Sequence, residues 1–157
     1  MTTRSAVLAA AARLIEKEGI AGLSVREAAR RAGVSHNAPY RHFRDRDSLL
    51  AGLAEEGVIL LERALEGRSG RDLGEAYVRF ALAHPQRFRL MFRAGAQGAL
   101  LERFAAAFSG LSEPRIAGLA AWALVHGLAE LAVSRRVSGE EVRKILGAMR
   151  FAAQRSA

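Results

Sequence analysis

Residues 24–43 read SVREAARRAGVSHNAPYRHF, and this stretch decides the fold. Ser24 stands where a helix N-cap is needed, with Glu27 three residues on. That spacing predicts a capping box, in which Glu27 reaches back to the freed backbone N–H of Ser24. A helix from Val25 to Ala32 follows, with Val25, Ala28, Ala29 and Ala32 inward, small enough to let a second helix cross closely. Gly33 occupies the place where a left-handed residue ends a helix, Val34 supplies an apolar plug, and Ser35 can cap the next helix. A second helix is predicted from about His36. Pro39, part of Tyr40 and Phe43 form its apolar side, leaving His36, Asn37, Arg41 and Arg44 outward. Two short helices joined by a tight turn, the second with polar groups outward, form a helix-turn-helix.

Working outward, residues 3–18 form an amphipathic helix carrying Ala6, Val7, Ala10, Ala11, Leu14 and Ile15 on one face and ended by Gly19. It completes a three-helix head. Residues 45–68, capped by Asp45 or Asp47 and carrying Leu49, Leu50, Leu53, Val58, Leu61 and Leu65, form a helix that leaves the head. Gly67-Arg68-Ser69-Gly70 is a linker. Beyond it, Asp72 to Ala83 reads as a helix broken by His84-Pro85, and Phe88, Leu90, Met91 and Phe92 cluster in the next segment. Gly95 and Gly98 mark a loop. A helix from about Ala99 to Ser109 follows, and Ser112-Glu113-Pro114 caps another, with proline in its first turn. The final helix runs from Gly139 to Ala153 with Val142, Ile145, Leu146, Met149 and Ala152 on one stripe.

Ile116 to Val133 is the most apolar stretch and nearly long enough to span a bilayer. Against spanning, Ala and Gly make it weakly hydrophobic, and Glu130 alone would cost about 2.5–3.5 kcal/mol near the bilayer centre. A helix with one face on its own core and another on a partner explains the composition better, so no membrane partner is expected.

The net charge is +8, almost all of it arginine, because Lys17 and Lys144 are the only lysines. An anionic partner is implied. Between Arg26 and Arg46 there are six arginines against Glu27 and Asp45, so the local excess coincides with the motif. Most of the arginines elsewhere are read as a solvated surface. The chain has no cysteine, which excludes a disulfide framework and thiol chemistry and suits the cytoplasm. The N-terminus keeps a helical period without a cleavage pattern and is not read as a signal peptide. The four histidines, at 36, 42, 84 and 126, have no metal-ligand spacing, and neither a phosphate loop nor a nucleophile motif is present. Neither an enzyme nor a cofactor is expected.

The small pair Ala28-Ala29, Gly33-Val34-Ser35, the run Tyr40-Arg41-His42-Phe43, and Arg46 with Leu49-Leu50 together resemble the N-terminal DNA-binding domain of the TetR/AcrR family of bacterial transcriptional regulators. Pro39 departs from the family, which more often has leucine there. A first helical turn tolerates a missing N–H, so the departure reads as a variant. Trp122 with His126-Gly127, and the segment His84 to Phe92, are similar to one branch of the family that bears Trp and His-Gly on its penultimate helix. The resemblance implies an all-α fold of about nine helices. It implies a helix-turn-helix domain over residues 1–47 and a C-terminal regulatory domain over 48–157 that encloses a small-molecule pocket and forms a homodimer through its last two helices. The activity implied is that of a ligand-responsive regulator, most simply a repressor, on a near-palindromic double-stranded operator.

On that reading His36, Asn37 and Ala38 face bases, since Asn pairs with adenine in bidentate fashion and the Ala38 methyl suits a thymine methyl. Arg4, Ser35, Tyr40, Arg41, His42 and Arg46 hold phosphates. Trp122, His126 and Glu130 recur every four residues on one helix face and could line a pocket, Trp as a flat wall, the other two orienting a polar end of a ligand. Tyr77, Phe80, Phe88, Met91, Phe92, Phe104 and Phe108 are pocket candidates by composition, and each could equally be core. The alternative reading is a basic helical protein that binds DNA without sequence preference.

Overall fold

A computed structural model describes residues 2–95 and 97–148, apart from the side chains of Gln97 and Ala99. Among the described residues the chain is helical without strands, with eight α-helices and two short 3-10 turns. The described residues form two compact units, one within residues 2–59 and 84–95, the other within residues 60–83 and 97–148.

The first unit opens with α1 (Thr3–Glu18), where the Thr2 hydroxyl accepts the Ser5 N–H and Gly19, at φ 78°, stops the helix. A 3-10 turn (Ile20–Gly22) leads to α2 (Val25–Ala32). Ser24 Oγ accepts the Glu27 N–H at 3.1 Å, so half of the expected capping box is present. The other half is not, because the Glu27 carboxylate instead accepts from Arg30 and Arg31, one turn on, at 2.7–2.8 Å. Two cationic donors win over one neutral backbone N–H. Gly33 is left-handed at φ 68°, and the Val34 N–H reaches back to the Ala29 carbonyl, closing a Schellman turn.

The second motif helix differs from expectation. Residues 36–37 form a turn and only Ala38–Arg41 are helical, as a single 3-10 turn with Asn37, not Ser35, at its N-cap. Pro39 is the reason. It offers no N–H, and its own carbonyl accepts from both His42 and Phe43 at 2.9 Å, which tightens the segment and ends it. Pro39 and Phe43 are buried. Asp45 then caps α3 (Arg46–Leu65) by accepting the Ser48 N–H at 2.8 Å, while Ser48 Oγ accepts the Asp45 N–H. Helix α3 begins in the first unit and ends in the second.

The first core joins Val7, Leu8, Ala11, Leu14 and Ile15 of α1 to Leu23, Val25, Ala28, Phe43, Leu49, Leu53 and Leu90. Burial of each large side chain contributes about 1.5–3 kcal/mol, so this cluster outweighs the caps, worth ~1 kcal/mol each. Leu90 belongs to α5 (Pro85–Arg93), an excursion of the later sequence into the first unit. The Glu16 carboxylate fixes α5 by accepting the N–H groups of Gln86 and Arg87 at 3.1 and 3.0 Å.

The second unit contains α4 (Gly70–Ala83), α6 (Gln97–Ala106), α7 (Pro114–Val133) and α8 (Gly139–Ala148). Gly98, expected in a loop, lies within α6. Met149 and Ala152, expected on the last helix, lie outside the described residues. Helix α7 is long and apolar enough to cross a membrane by length and composition. One face, with Gly118, Ala121, Val125, Leu128, Ala129 and Ala132, is buried against α4, α6 and α8. At Gly118 the α6 backbone comes so close that an added Cβ would lie 2.5 Å from the Ala105 nitrogen. The opposite face leaves Ile116, Leu119, Leu124 and Leu131 between 38% and 62% exposed.

Candidate nucleic-acid interface

The segment Val34–Ala38 is the shared rim of two hollows on the first unit. One, of about 330 Å³, is lined by Thr3, Ser35, Asn37, Ala38, Arg41 and His42. It gathers five residues picked from the sequence for bases or phosphates and adds Thr3 at the start of α1. The other, of about 370 Å³, is lined by Ser24, Arg26, Glu27, Ala29, Arg30, Val34 and His36.

Local structure explains why these side chains are presented together. The left-handed Gly33 and the plug Val34 turn the chain sharply after α2. The buried Pro39 and Phe43 pin the following turn to the core, so Ser35, His36 and Asn37 stand exposed at its leading end. His36 Nδ1 and Asn37 Oδ1 lie 3.2 Å apart, and the His36 ring is 6.0 Å from that of Tyr40, which is 45% exposed. Arg41 forms no hydrogen bond or ion pair among the described residues, so its donors are available to an anion.

Arg4, Tyr40 and Arg46 line neither hollow. Arg4 lies over the Phe43 ring at 5.8 Å and 3.6 Å from Glu55. The Arg46 guanidinium donates to the carbonyls of Leu23 at 3.0 Å and Ile20 at 2.8 Å, bracing the loop between α1 and α2. Arg26 and Arg30 were not singled out from the sequence. Their spacing of four on α2 places both on one helix face, a signal the sequence does contain. Glu27 sits among them with its carboxyl lowered to about 2 by hydrogen bonds from Arg30 and Arg31, so it stays ionised.

The pocket candidates divide between the units. Phe88, Met91 and Phe92 lie in the first, with the Phe88 and Phe92 rings edge to face at 4.9 Å. Tyr77, Phe80, Phe104, Phe108, Trp122 and His126 lie in the second. There Trp122 Nε1 donates to the Tyr77 hydroxyl at 3.1 Å, and that hydroxyl is 3.0 Å from His126 Nδ1. The arrangement that satisfies all three groups has Tyr77 donating to Nδ1 and the imidazole proton on Nε2. Phe104 packs edge to face on Tyr77 at 5.8 Å. Burial pushes the Tyr77 hydroxyl upward and lowers the His126 imidazole, against a smaller opposing pull on His126 from Glu130, so His126 is neutral near pH 7.

Comparison with known proteins agrees with this architecture. The model of bacterial regulatory proteins of the tetR family matches residues 7–53, and that of the tetracyclin repressor-like C-terminal domain matches residues 71–149. A Rhodococcus sp. RHA1 protein of unknown function is 33% identical, with a TM-score of 0.78 over 98% of this chain and 95% of that one. A TetR-like transcriptional regulator from Rhodococcus sp. RHA1 is 17% identical, with a TM-score of 0.68 over 92% and 91% of the two chains. SmeT in its triclosan complex is 21% identical, with a TM-score of 0.65 over 98% and 91%. With its helix-turn-helix head and its C-terminal helices each matched, the chain belongs to the tetR family of bacterial regulatory proteins.

Proposed function

We propose that the protein is a cytoplasmic, ligand-responsive transcriptional repressor, which binds a near-palindromic operator as a homodimer and leaves it when a small apolar or aromatic ligand binds. The observation that carries this is the first hollow and its rim. Exposed His36 and Asn37 and half-buried Ala38 stand where bases would be met, beside Ser35, Arg41 and His42, which can hold phosphate. Arg46 acts chiefly as a brace for the motif, with donors left over for a phosphate. The reader spans residues 1–47 and the regulatory part the remainder.

The dimer reading draws support from the outward apolar face of α7, where Ala123 and Gly127 leave room at the centre of the exposed leucines. The effector reading draws support from the Tyr77–Trp122–His126 cluster and from SmeT, a protein of the same fold that binds triclosan. Release would follow if the liganded state favours a head spacing that no longer fits two successive major grooves.

The test is selection of duplexes from a random pool at about 150 mM salt, where non-specific attraction is largely screened. An enriched palindrome is expected. On that duplex Asn37→Ala should narrow the gap between operator and random DNA, whereas Arg41→Ala should weaken both alike. Failure of any sequence to enrich would favour the sequence-nonspecific alternative.

A further inference from the structure

The outward face of α7 is complementary to itself when reversed. Ile116, Leu119, Leu124 and Leu131 are exposed there, Ala123 is exposed beside them, and Gly127 is a notch with nothing within 4 Å of an added Cβ. At nearly equal distances either side of residues 123–124, Ile116 answers Leu131, Leu119 answers Gly127 and Leu124 answers Ala123, so large residues meet small ones near the centre. The same reversal sets Glu113 against Arg135, just outside the two ends of the helix. Both side chains are exposed and form no hydrogen bond or ion pair among the described residues, whereas neighbouring Arg115 is paired with Glu102. Arg135 carries a second, independent sign. At φ 57° it is the only non-glycine residue with positive φ among the described residues, and its N–H donates to the Ala132 carbonyl at 3.0 Å. Glycine takes that conformation without strain, so nothing in the turn itself calls for an arginine.

We propose that Glu113 and Arg135 are the specificity residues of self-recognition. In an antiparallel pairing of α7 with α7 of a second copy, Glu113 of each subunit binds Arg135 of the partner subunit. The inference rests on the homodimer reading and adds to it a register and the ion pairs that enforce it. Each pair lies about 16 Å along the helix from the twofold axis. That requires the shallow helix crossing of about 20°, because at about 50° the ends diverge beyond the reach of the two side chains. A parallel pairing would set like charges together at both ends, and a shifted register would move Leu119 off the Gly127 notch.

Sedimentation of the full-length protein at about 50 mM salt, where exposed charges are weakly screened, measures the dimer dissociation constant. Glu113→Arg and Arg135→Glu should each raise it about tenfold or more, since two pairs are lost and two repulsions gained per dimer. An equimolar mixture of these two variants should recover the original constant, because every cross-axis pair is again opposite in charge. Arg135→Gly relieves the left-handed backbone and so keeps the fold, yet should weaken the dimer about three- to tenfold. A mixture no tighter than either variant alone, or an Arg135→Gly dimer as tight as the original, overturns the pair while leaving the dimer standing. An unsubstituted protein that sediments as a monomer would instead defeat the homodimer reading itself.

Discussion

Gly118→Ala separates two opposed effects whose sizes follow from the α6–α7 contact. In the middle of a helix, alanine in place of glycine gains about 1 kcal/mol. At Gly118 the new Cβ would lie 2.5 Å from the Ala105 nitrogen, 2.6 Å from its Cα and 2.9 Å from the Phe104 carbonyl carbon. Ordinary contact begins near 3.4 Å, so the two helix backbones would have to part by about 0.9 Å. Backbone atoms cannot rotate aside as a side chain does, which puts the strain at or above the upper end of the ~1–3 kcal/mol typical of overpacking. The net expectation is a loss of about 2 kcal/mol or more, or at least ~4–8 °C in thermal midpoint for a chain of this length. Urea unfolding at fixed protein concentration should show a lower midpoint at unchanged slope. Ala105→Gly sharpens the test, because it removes a methyl while leaving in place the nitrogen and Cα that obstruct. The double variant should therefore lose the sum of the two single losses. A Gly118→Ala protein as stable as the original, or rescue by Ala105→Gly, would refute a backbone-limited crossing.

Two further outcomes are expected. Gly127, on the outward face of the same helix, has nothing within 4 Å of its added Cβ, so Gly127→Ala should stabilise an isolated chain by about 1 kcal/mol. If α7 packs closely on a second copy there, sedimentation should instead show weaker self-association, and an unchanged dimer would remove Gly127 from the interface. His126 is lowered by burial, so the unfolded chain takes up its proton first and stability should fall as pH drops below about 6.5, being complete above it. Denaturant midpoints across that range should flatten in His126→Gln, and an equal pH dependence in both proteins would exclude His126 as the source.

Much of the first unit was legible because its punctuation is local. Gly19, Ser24, Gly33 and Asp45 each act within four residues of the helix end they define, and each end falls where the sequence placed it. The second motif helix was not legible to the same degree. A proline four residues past a possible cap is compatible with a continued helix, and only the tertiary anchoring of Pro39 and Phe43 selects the tight turn. Glu27 departs from its capping-box pattern for a different reason: Arg30 and Arg31 at the next turn compete with the Ser24 N–H for the same oxygens. The Arg46 brace depends on carbonyls more than twenty residues away, which no local pattern encodes. Nor could composition say which unit Phe88, Met91 and Phe92 would join, since an apolar cluster is equally acceptable to either core.

Helix α5 bears on how such a protein can be recombined. Residues 84–95 complete the first unit although two dozen residues of the second precede them. A head transplanted as one uninterrupted piece ending near residue 59 would arrive without Leu90 in its core and with the Glu16 carboxylate deprived of the two N–H groups it accepts. The first unit is therefore not a portable cassette. Hybrid regulators that exchange it need a second graft, across residues 84–95, and natural shuffling at a single junction would be selected against unless donor and recipient already agree at α5.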